Sequence, residues 1–417
     1  MRITSNIRMD GLVFSCDHDM GCQMTLNQGG RFHHHATRRA MATTVQWKTI
    51  DSGQHIQLDL YPPSITSGTS SRKVPAVVYF HGGGLTVGNR TSWFPSWLQR
   101  RVTNAGYVFI STDYRLIPPA TGLEIVEDIK DLFRFLVDSD GERLTVSLDH
   151  AGLDTGLNLP IDPDAIAVAG SSAGGLCAYL AAIHALPKPK ALVSMYGMGG
   201  DFLIPHYLTP KNRPFLRGRE ILDPDAFKEF LYPASQTVPS TSDSALAYHD
   251  ASYHIPGYPA NPRMLLVRLY LQLGVFLDYY TGLHQPSLSE LLRAAHAGTA
   301  TDVVADSDTM TGSGSRAASA ICIPTEVRGL FPQLNVSSAW PASFLCHGTA
   351  DTAVPVGESL NMYTLLKGAG VDVELGVVEG KEHSFDYESG ADSEGSLKAL
   401  FDKIGGFVIQ RLGKDSA

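Results

Sequence analysis

Cysteine is scarce and unpaired in this 417-residue chain: Cys16, Cys22, Cys177, Cys322 and Cys346 are five in number, and no two stand in a CxxC spacing. An odd set without that spacing argues against a disulfide framework and against a thiolate zinc site, so the thiols are expected free, in a reducing compartment. Runs of basic charge are missing too. Lys and Arg number 33 against 42 Asp and Glu, for a net charge of −9, and no basic cluster is longer than a few residues. The positive footprint that nucleic acid requires is therefore lacking, and no nucleic-acid partner is expected. Long apolar runs are also absent. The first 30 residues carry Asp10, Asp17 and Asp19 without an apolar core of signal-peptide length, and the best spanning candidate, Met264 to Tyr280, is interrupted by Arg268 and Asp278. That stretch reads as a buried or amphipathic helix. The chain reads as cytoplasmic, without a membrane span, and the sequons at Asn89 and Asn335 read as chance matches.

What remains is the composition of a globular protein, 43% hydrophobic and 18% charged, long enough for one large domain with an insertion or for two domains. Residues 1–40 show no periodicity, carry His33-His34-His35 and Arg38-Arg39, and read as a flexible extension in which the His run is incidental; no metal is expected. From Thr43 the text becomes regular. Residues 54–63 alternate and end at paired prolines, while 74–80 and 107–114 are continuous β-branched and aromatic runs suited to strands buried on both faces. Helical spacing fills 91–106, and 124–137 sets Ile125, Ile129, Leu132, Phe133 and Leu136 on one face. A strand at 165–170, an Ala-rich helix at 173–186 and a strand at 191–197 follow.

Strand and helix at crossover spacing imply an α/β fold, a doubly wound and mostly parallel sheet with helices on both faces. The alternation breaks near 201. Residues 201–334, rich in Pro, Tyr, His and short helical patterns, read as an inserted helical cap, with a Ser/Gly/Thr/Ala-rich stretch at 308–320 read as a mobile loop. Strand text resumes at 342–348, followed by a helix at 357–370, a strand at 371–378 and a helix at 396–412, so the core spans 41–200 and 335–417.

Chemistry concentrates at four places. Gly170-Ser171-Ser172-Ala173-Gly174 fits G-x-S-x-G between a buried strand and a helix, the context of a nucleophile elbow, with Ser172 at the apex and Ser171 a flanking residue. A serine hydroxyl needs a base, and the base needs an orienting acid. In chain order Ser, Asp, His, the acid is expected after a late strand and the histidine after the last one. Asp351 in HGTADTAVP follows the strand at 342–348, and His383 in EGKEHSFDY follows the strand at 371–378. His347 is expected to pack the loop, and Glu382 and Asp386 are rival acids too close to His383 in sequence to need a loop of their own. The fourth place is His81-Gly82-Gly83-Gly84, directly after the strand at 74–80. The N–H groups of Gly83, Gly84 and Ala173 are the expected donors to a developing oxyanion, with His81 and Gly82 supporting the loop.

With HGGG at 81–84, DYRL at 113–116 and GSSAG at 170–174, the chain resembles the α/β-hydrolase fold, and within it the hormone-sensitive-lipase-like carboxylesterases, over roughly residues 45–412. The resemblance implies a serine hydrolase that needs no metal or organic cofactor and acts on a small-molecule carboxylic ester. Departures are visible. Family members usually carry an acidic residue where Ser171 stands, DYRLAPE is here DYRLIPP, and the segments around Asp351 and His383 look closer to the prolyl-oligopeptidase branch.

The leading reading is hydrolysis of a small or medium, apolar ester through an acyl-enzyme on Ser172. Amide or peptide hydrolysis is an alternative. A non-hydrolytic ligand-binding member of the fold is another, weighed down by the presence of His383. Most of the aromatic residues between Phe215 and Tyr280 are expected to form the cap's own core, and a homodimer is left open.

Overall fold

The computed structural model describes residues 42–50, 53–64, 73–137, 160–300, 320–393 and 395–413, together with strand segments at 6–9, 12–15 and 23–25. Those three short strands, β1 (Asn6–Met9), β2 (Leu12–Ser15) and β3 (Gln23–Thr25), pair antiparallel in that order, within the stretch read as an aperiodic extension. The His33–His35 run and most of 301–319 lie outside the described residues.

Eight further strands make the main sheet: β4 (Thr43–Thr49), β5 (His55–Tyr61), β6 (Val74–Phe80), β7 (Val108–Thr112), β8 (Ile161–Ser171), β9 (Ala191–Met195), β10 (Ala342–Gly348) and β11 (Val373–Val378). Their order is β11-β10-β9-β8-β6-β7-β5-β4. Every pair from β11 to β7 is parallel, while β5 runs antiparallel to β7 and β4 antiparallel to β5. The mostly parallel sheet expected from the sequence is thus present. β4 was not foreseen as a strand, because an edge strand built from TTVQWKT buries little and carries few β-branched apolar residues.

β6 shows how the runs work. Val78 and Phe80 join the apolar core on one face of the sheet, and Val77 and Tyr79 join the core on the other, so a strand covered twice needs no polar alternation. Helices α1 (Ser96–Asn104) and α10 (Gly395–Leu412) cover the second face through Trp97, Leu98, Phe401 and Val408. The first face is covered by α2 (Gly122–Leu136), α3 (Ala173–His184) and α9 (Gly357–Gly368). In α2 the five apolar positions singled out above are all buried, and Thr121 with Glu124 closes a capping box at its start. Among the described residues, no helix is long and apolar enough to cross a membrane.

Among the described residues between β9 and β10 the α-helices are short: α4 (Pro205–Leu208), α5 (Arg263–Leu273), α6 (Phe276–Thr281), α7 (Leu288–Ala300) and α8 (Thr325–Arg328). The stretch from Met264 to Tyr280, read as one helix, is in fact two. Gly274 takes the left-handed conformation at φ 65° and caps α5, and a Cβ there would stand 2.7 Å from the Leu208 carbonyl oxygen. The aromatic residues mostly bury among themselves, with Tyr270 stacked on Tyr279 at 3.8 Å and Phe202 edge-on to Phe331 at 5.8 Å.

The loop after β9 is tied to α9 by a buried carboxylate. Glu358 accepts from the N–H groups of Gly199 (2.7 Å) and Gly200 (3.1 Å) and from the Tyr207 hydroxyl (2.6 Å), with no cation beside it among the described residues. Burial pushes it up from 4.5 to about 8, against the pull of those donors. The folded chain therefore holds this proton more tightly than the unfolded chain does. The stability so added is full below about 4.5 and is lost as pH rises through about 8. Urea unfolding of the native chain and of Glu358→Gln at about pH 5 and about pH 8 is expected to show the balance moving against the native chain at the higher pH, by on the order of 2 kcal/mol. A pH-independent difference would refute the account.

Candidate active site

Parallel strands place all their C-terminal ends on one edge of a sheet, and loops from neighbouring strands meet there. Here the register brings Phe80 beside Gly170, Ser171 beside Met195, Met195 beside Cys346 and Cys346 beside Gly376. The loops that carry His81–Gly84, Ser172, Asp351 and His383 consequently leave from one edge.

Ser172 sits between β8 and α3 at φ 54°, ψ −120°, a conformation that L-residues rarely adopt. Its backbone is held on both sides: its N–H donates to the Met195 carbonyl (2.9 Å), and its carbonyl accepts from Gly175 (3.0 Å) and Met198 (3.1 Å). The turn is too tight for side chains. A Cβ on Gly170 would lie 2.0 Å from the Gly174 oxygen, and one on Gly174 would lie 1.9 Å from the Phe80 oxygen. Ser171 points away. Only 2% exposed, its Oγ is engaged by the Tyr79 hydroxyl at 2.7 Å. A carboxylate at that position would be buried against a phenol. The buried carboxylate of this region comes instead from Asp386, which accepts from Tyr196 and from Trp97 Nε1 (3.2 Å) and whose pKa burial raises.

The HGGG loop lies against this turn. A Cβ on Gly82 would stand 3.4 Å from Ser172 Cβ, and Gly83 and Gly84 take φ 104° and 62°. Among the described residues, the N–H groups of Gly83, Gly84 and Ala173 donate to no protein acceptor. His81 is fully buried, its Nδ1 donating to the Gly82 carbonyl at 2.7 Å, and burial lowers its pKa to about 4, so it stays neutral near pH 7. Tyr114 of the DYRL segment stacks on the His81 ring at 4.4 Å and donates to the His81 carbonyl at 2.8 Å. Above the loop, Val267 of α5 fills the space over Gly84, where an added Cβ would be 2.5 Å from Val267 Cβ.

Asp351 and His383 come together from their separate loops. His383 Nδ1 lies 2.7 Å from Asp351 Oδ2, while Asp351 Oδ1 accepts from the N–H groups of Ala353 and Val354, each at 2.9 Å. Burial opposes the Asp351 charge, but His383, His347 and these bonds overcome it and hold the carboxyl well below the usual carboxylate range. With Nδ1–H directed at a carboxylate, the tautomer assigned to His383 leaves Nε2 as the acceptor.

His347, expected in the loop, lies inside β10. Its Nε2 is 2.8 Å from the Val354 carbonyl and 3.2 Å from Asp351 Oδ2, so it also braces the acid. The rival acids are engaged elsewhere: Glu382 accepts from Thr352 and from the His383 N–H, and Asp386 from Tyr196 and Trp97. Two contacts had no signal in the text. The Tyr196 ring meets the His383 ring at 4.6 Å, edge to face. Arg217, from the 201–334 insert, donates to the His383 carbonyl, and its N–H donates to Thr352 Oγ1 at 2.9 Å.

Two family models match, and both reach into the 201–334 stretch. Residues 77–252, with the HGGG loop and Ser172, match the model described as alpha/beta hydrolase fold, and residues 325–414, with Asp351 and His383, match that of the prolyl oligopeptidase family. A solved alpha/beta hydrolase superfamily protein from Enterococcus faecalis superposes with a TM-score of 0.50 at 17% identity, covering 89% of this chain and 99% of that one. The chain has the α/β-hydrolase fold.

Among curated relatives, the chain is 29% identical to the probable carboxylesterase M8 of a Phoma species over 38% of the chain and 46% of that protein. It is 25% identical to the non-reducing polyketide synthase ausA of Emericella nidulans over 86% of the chain and 13% of the synthase. The chain thus spans less than half the length of either relative. The division between the two models follows the departure already visible in the sequence, where the segments around Asp351 and His383 resemble prolyl oligopeptidases.

The tight contacts at the elbow make a specific demand. Gly174→Ala is expected to lower the unfolding free energy by about 3 kcal/mol or more, because its methyl would overlap backbone that cannot move without displacing β6. Gly406→Ala, in α10 with nothing within 4 Å of an added Cβ, is the control and is expected to be neutral or slightly stabilising. Denaturant unfolding of both variants decides it, and equal stability would contradict the packing described.

Proposed function

We propose that this chain is a serine-dependent carboxylic ester hydrolase, with Ser172 as nucleophile, His383 as general base and acid, and Asp351 as the orienting carboxylate. The observation that carries the reading is the strained turn at Ser172 on the same sheet edge as a His383–Asp351 pair 2.7 Å apart. Ser172 Oγ attacks the acyl carbon while His383 Nε2 takes its proton. The imidazolium so formed is stabilised by Asp351 through Nδ1–H. Negative charge on the carbonyl oxygen is met by the N–H groups of Gly83, Gly84 and Ala173, with His81 and Gly82 setting the loop. The C–O bond to the alcohol then breaks, and His383 protonates the leaving oxygen. Water, deprotonated by His383, cleaves the acyl-enzyme and restores Ser172. The carboxylesterase and α/β-hydrolase matches support this reading.

A second reading shares every residue and differs in the leaving group. The match to ausA runs along 86% of this chain, so a segment of similar extent lies within a polyketide synthase. An acyl thioester, with a thiol in place of the alcohol, fits the same steps. Amide hydrolysis is ranked lower, because the prolyl oligopeptidase match covers the segment of Asp351 and His383 but not that of Ser172.

Ser172→Ala is expected to lower kcat on a p-nitrophenyl ester by at least about 10³-fold with an unchanged far-ultraviolet spectrum, and Asp351→Asn by on the order of 10²–10⁴-fold. Turnover rates on matched ester, thioester and anilide substrates sort the leaving groups. Full ester turnover by folded Ser172→Ala would sink the mechanism.

A further inference from the structure

The insert carries two arginines, Arg219 and Arg268, on elements that border the His383 loop and the HGGG loop. Its hairpin pairs Phe215 with Arg219, the Arg219 N–H donating to the Phe215 carbonyl at 2.9 Å. At the tip of that hairpin, Arg217 touches the His383 loop and the Asp351 loop, and it has Glu382 nearby, 3.9 Å away. At its base, Leu222 is bonded through both its N–H and its carbonyl to the Gln272 side chain of α5, each at 2.8 Å. Arg219 is thus held between the His383 loop and α5. One turn before Gln272 on α5 stands Arg268, next in sequence to Val267, which covers Gly84 of the HGGG loop. Arg219 thus stands two residues from the contact with the His383 loop, and Arg268 stands next to the residue that covers the glycine loop.

Neither is balanced. Among the described residues, Arg219 and Arg268 form no ion pair, and Arg268 Nε is buried with no hydrogen-bond partner. Burial lowers the Arg268 pKa and the Arg219 charge lowers it further, while Tyr258 acts in the opposite sense. A partly dry guanidinium facing a like charge costs folding free energy, and proteins ordinarily meet such groups with a counter-ion. A guanidinium fork is shaped for a carboxylate or phosphate.

We propose that Arg219 and Arg268 form a subsite for an anionic oxygen group, a carboxylate or a phosphate, borne by the substrate. The proposal rests on the hydrolase reading and adds a charge to the substrate it describes. The anion displaces no protein partner and relieves the repulsion between the two arginines.

The test is calorimetric titration of Ser172→Ala, which binds without turnover, with two matched pairs of ligands. One pair is hexyl hemiglutarate and hexyl pentanoate, with the anion on the acyl side. The other is the S-hexanoyl thioester of 4′-phosphopantetheine and that of pantetheine, with the anion on the leaving side. The anionic member of at least one pair is expected to bind about tenfold tighter, and the pair that shows this locates the anion. Adding Arg219→Gln or Arg268→Met is expected to bring that affinity ratio close to one, a ratio that a general loss of structure would not single out. No preference in either pair, or a preference that survives both substitutions, overturns the proposal. Ester turnover by the unsubstituted chain is measured alongside: its absence would count against the hydrolase reading alone, since the affinity ratio needs no turnover.

Discussion

Everything at this site depends on one backbone constraint, the positive φ of Ser172. A serine placed there by propensity alone would relax into the helix that follows, and its hydroxyl would turn with it. Relaxation is blocked because β8 and α3 are packed too closely to let the turn open. Gly170 and Gly174 are in backbone contact, Gly174 lies against the Phe80 carbonyl, and the Ser172 N–H is bonded to β9. The strain is thus sustained by the two-sided burial of β6, β8 and β9, and the apolar core supplies the geometry of the site.

From that fixed point the other groups are placed by adjacency in the sheet. β6, next to β8, delivers the glycine loop; β10 and β11, one and two strands beyond β9, deliver the acid and the histidine. The described residues of the insert add no strand to the sheet, yet they close over the assembly through Val267 above Gly84 and Arg217 on the His383 carbonyl. A second layer sits beneath the serine. Tyr79, Ser171, Tyr196 and Asp386 form a buried phenol and carboxyl cluster, and the Tyr196 ring that belongs to it is also the surface against which His383 rests. The hydroxyl of Ser171 is therefore a fitting part of this layer.

Much of this was legible in the sequence because it is local. Continuous β-branched and aromatic runs marked β6 and β7, short apolar runs marked β8 and β9, and strand, Gly-rich turn and helix in succession marked Ser172 over Ser171. The order of late strands picked out Asp351 and His383, which the structure brings together. What could not be read depends on contacts distant in sequence. His347 braces Asp351 from within β10, but its text is that of any strand residue. Tyr196 meets His383 across nearly two hundred positions, and Arg217 reaches the histidine loop across 166. β4 escaped notice because an edge strand needs little apolar surface, and the break at Gly274 because one glycine in an apolar run is a weak signal until its backbone angle is known.

The central claim is that Ser172 is a nucleophile activated by His383. The most direct measurement is to label the purified protein with a fluorophosphonate and map the adduct by mass spectrometry. The account predicts one adduct, on Ser172, that is lost in His383→Ala while the fold is retained. A folded protein that takes no label, or takes it on another residue, would contradict it.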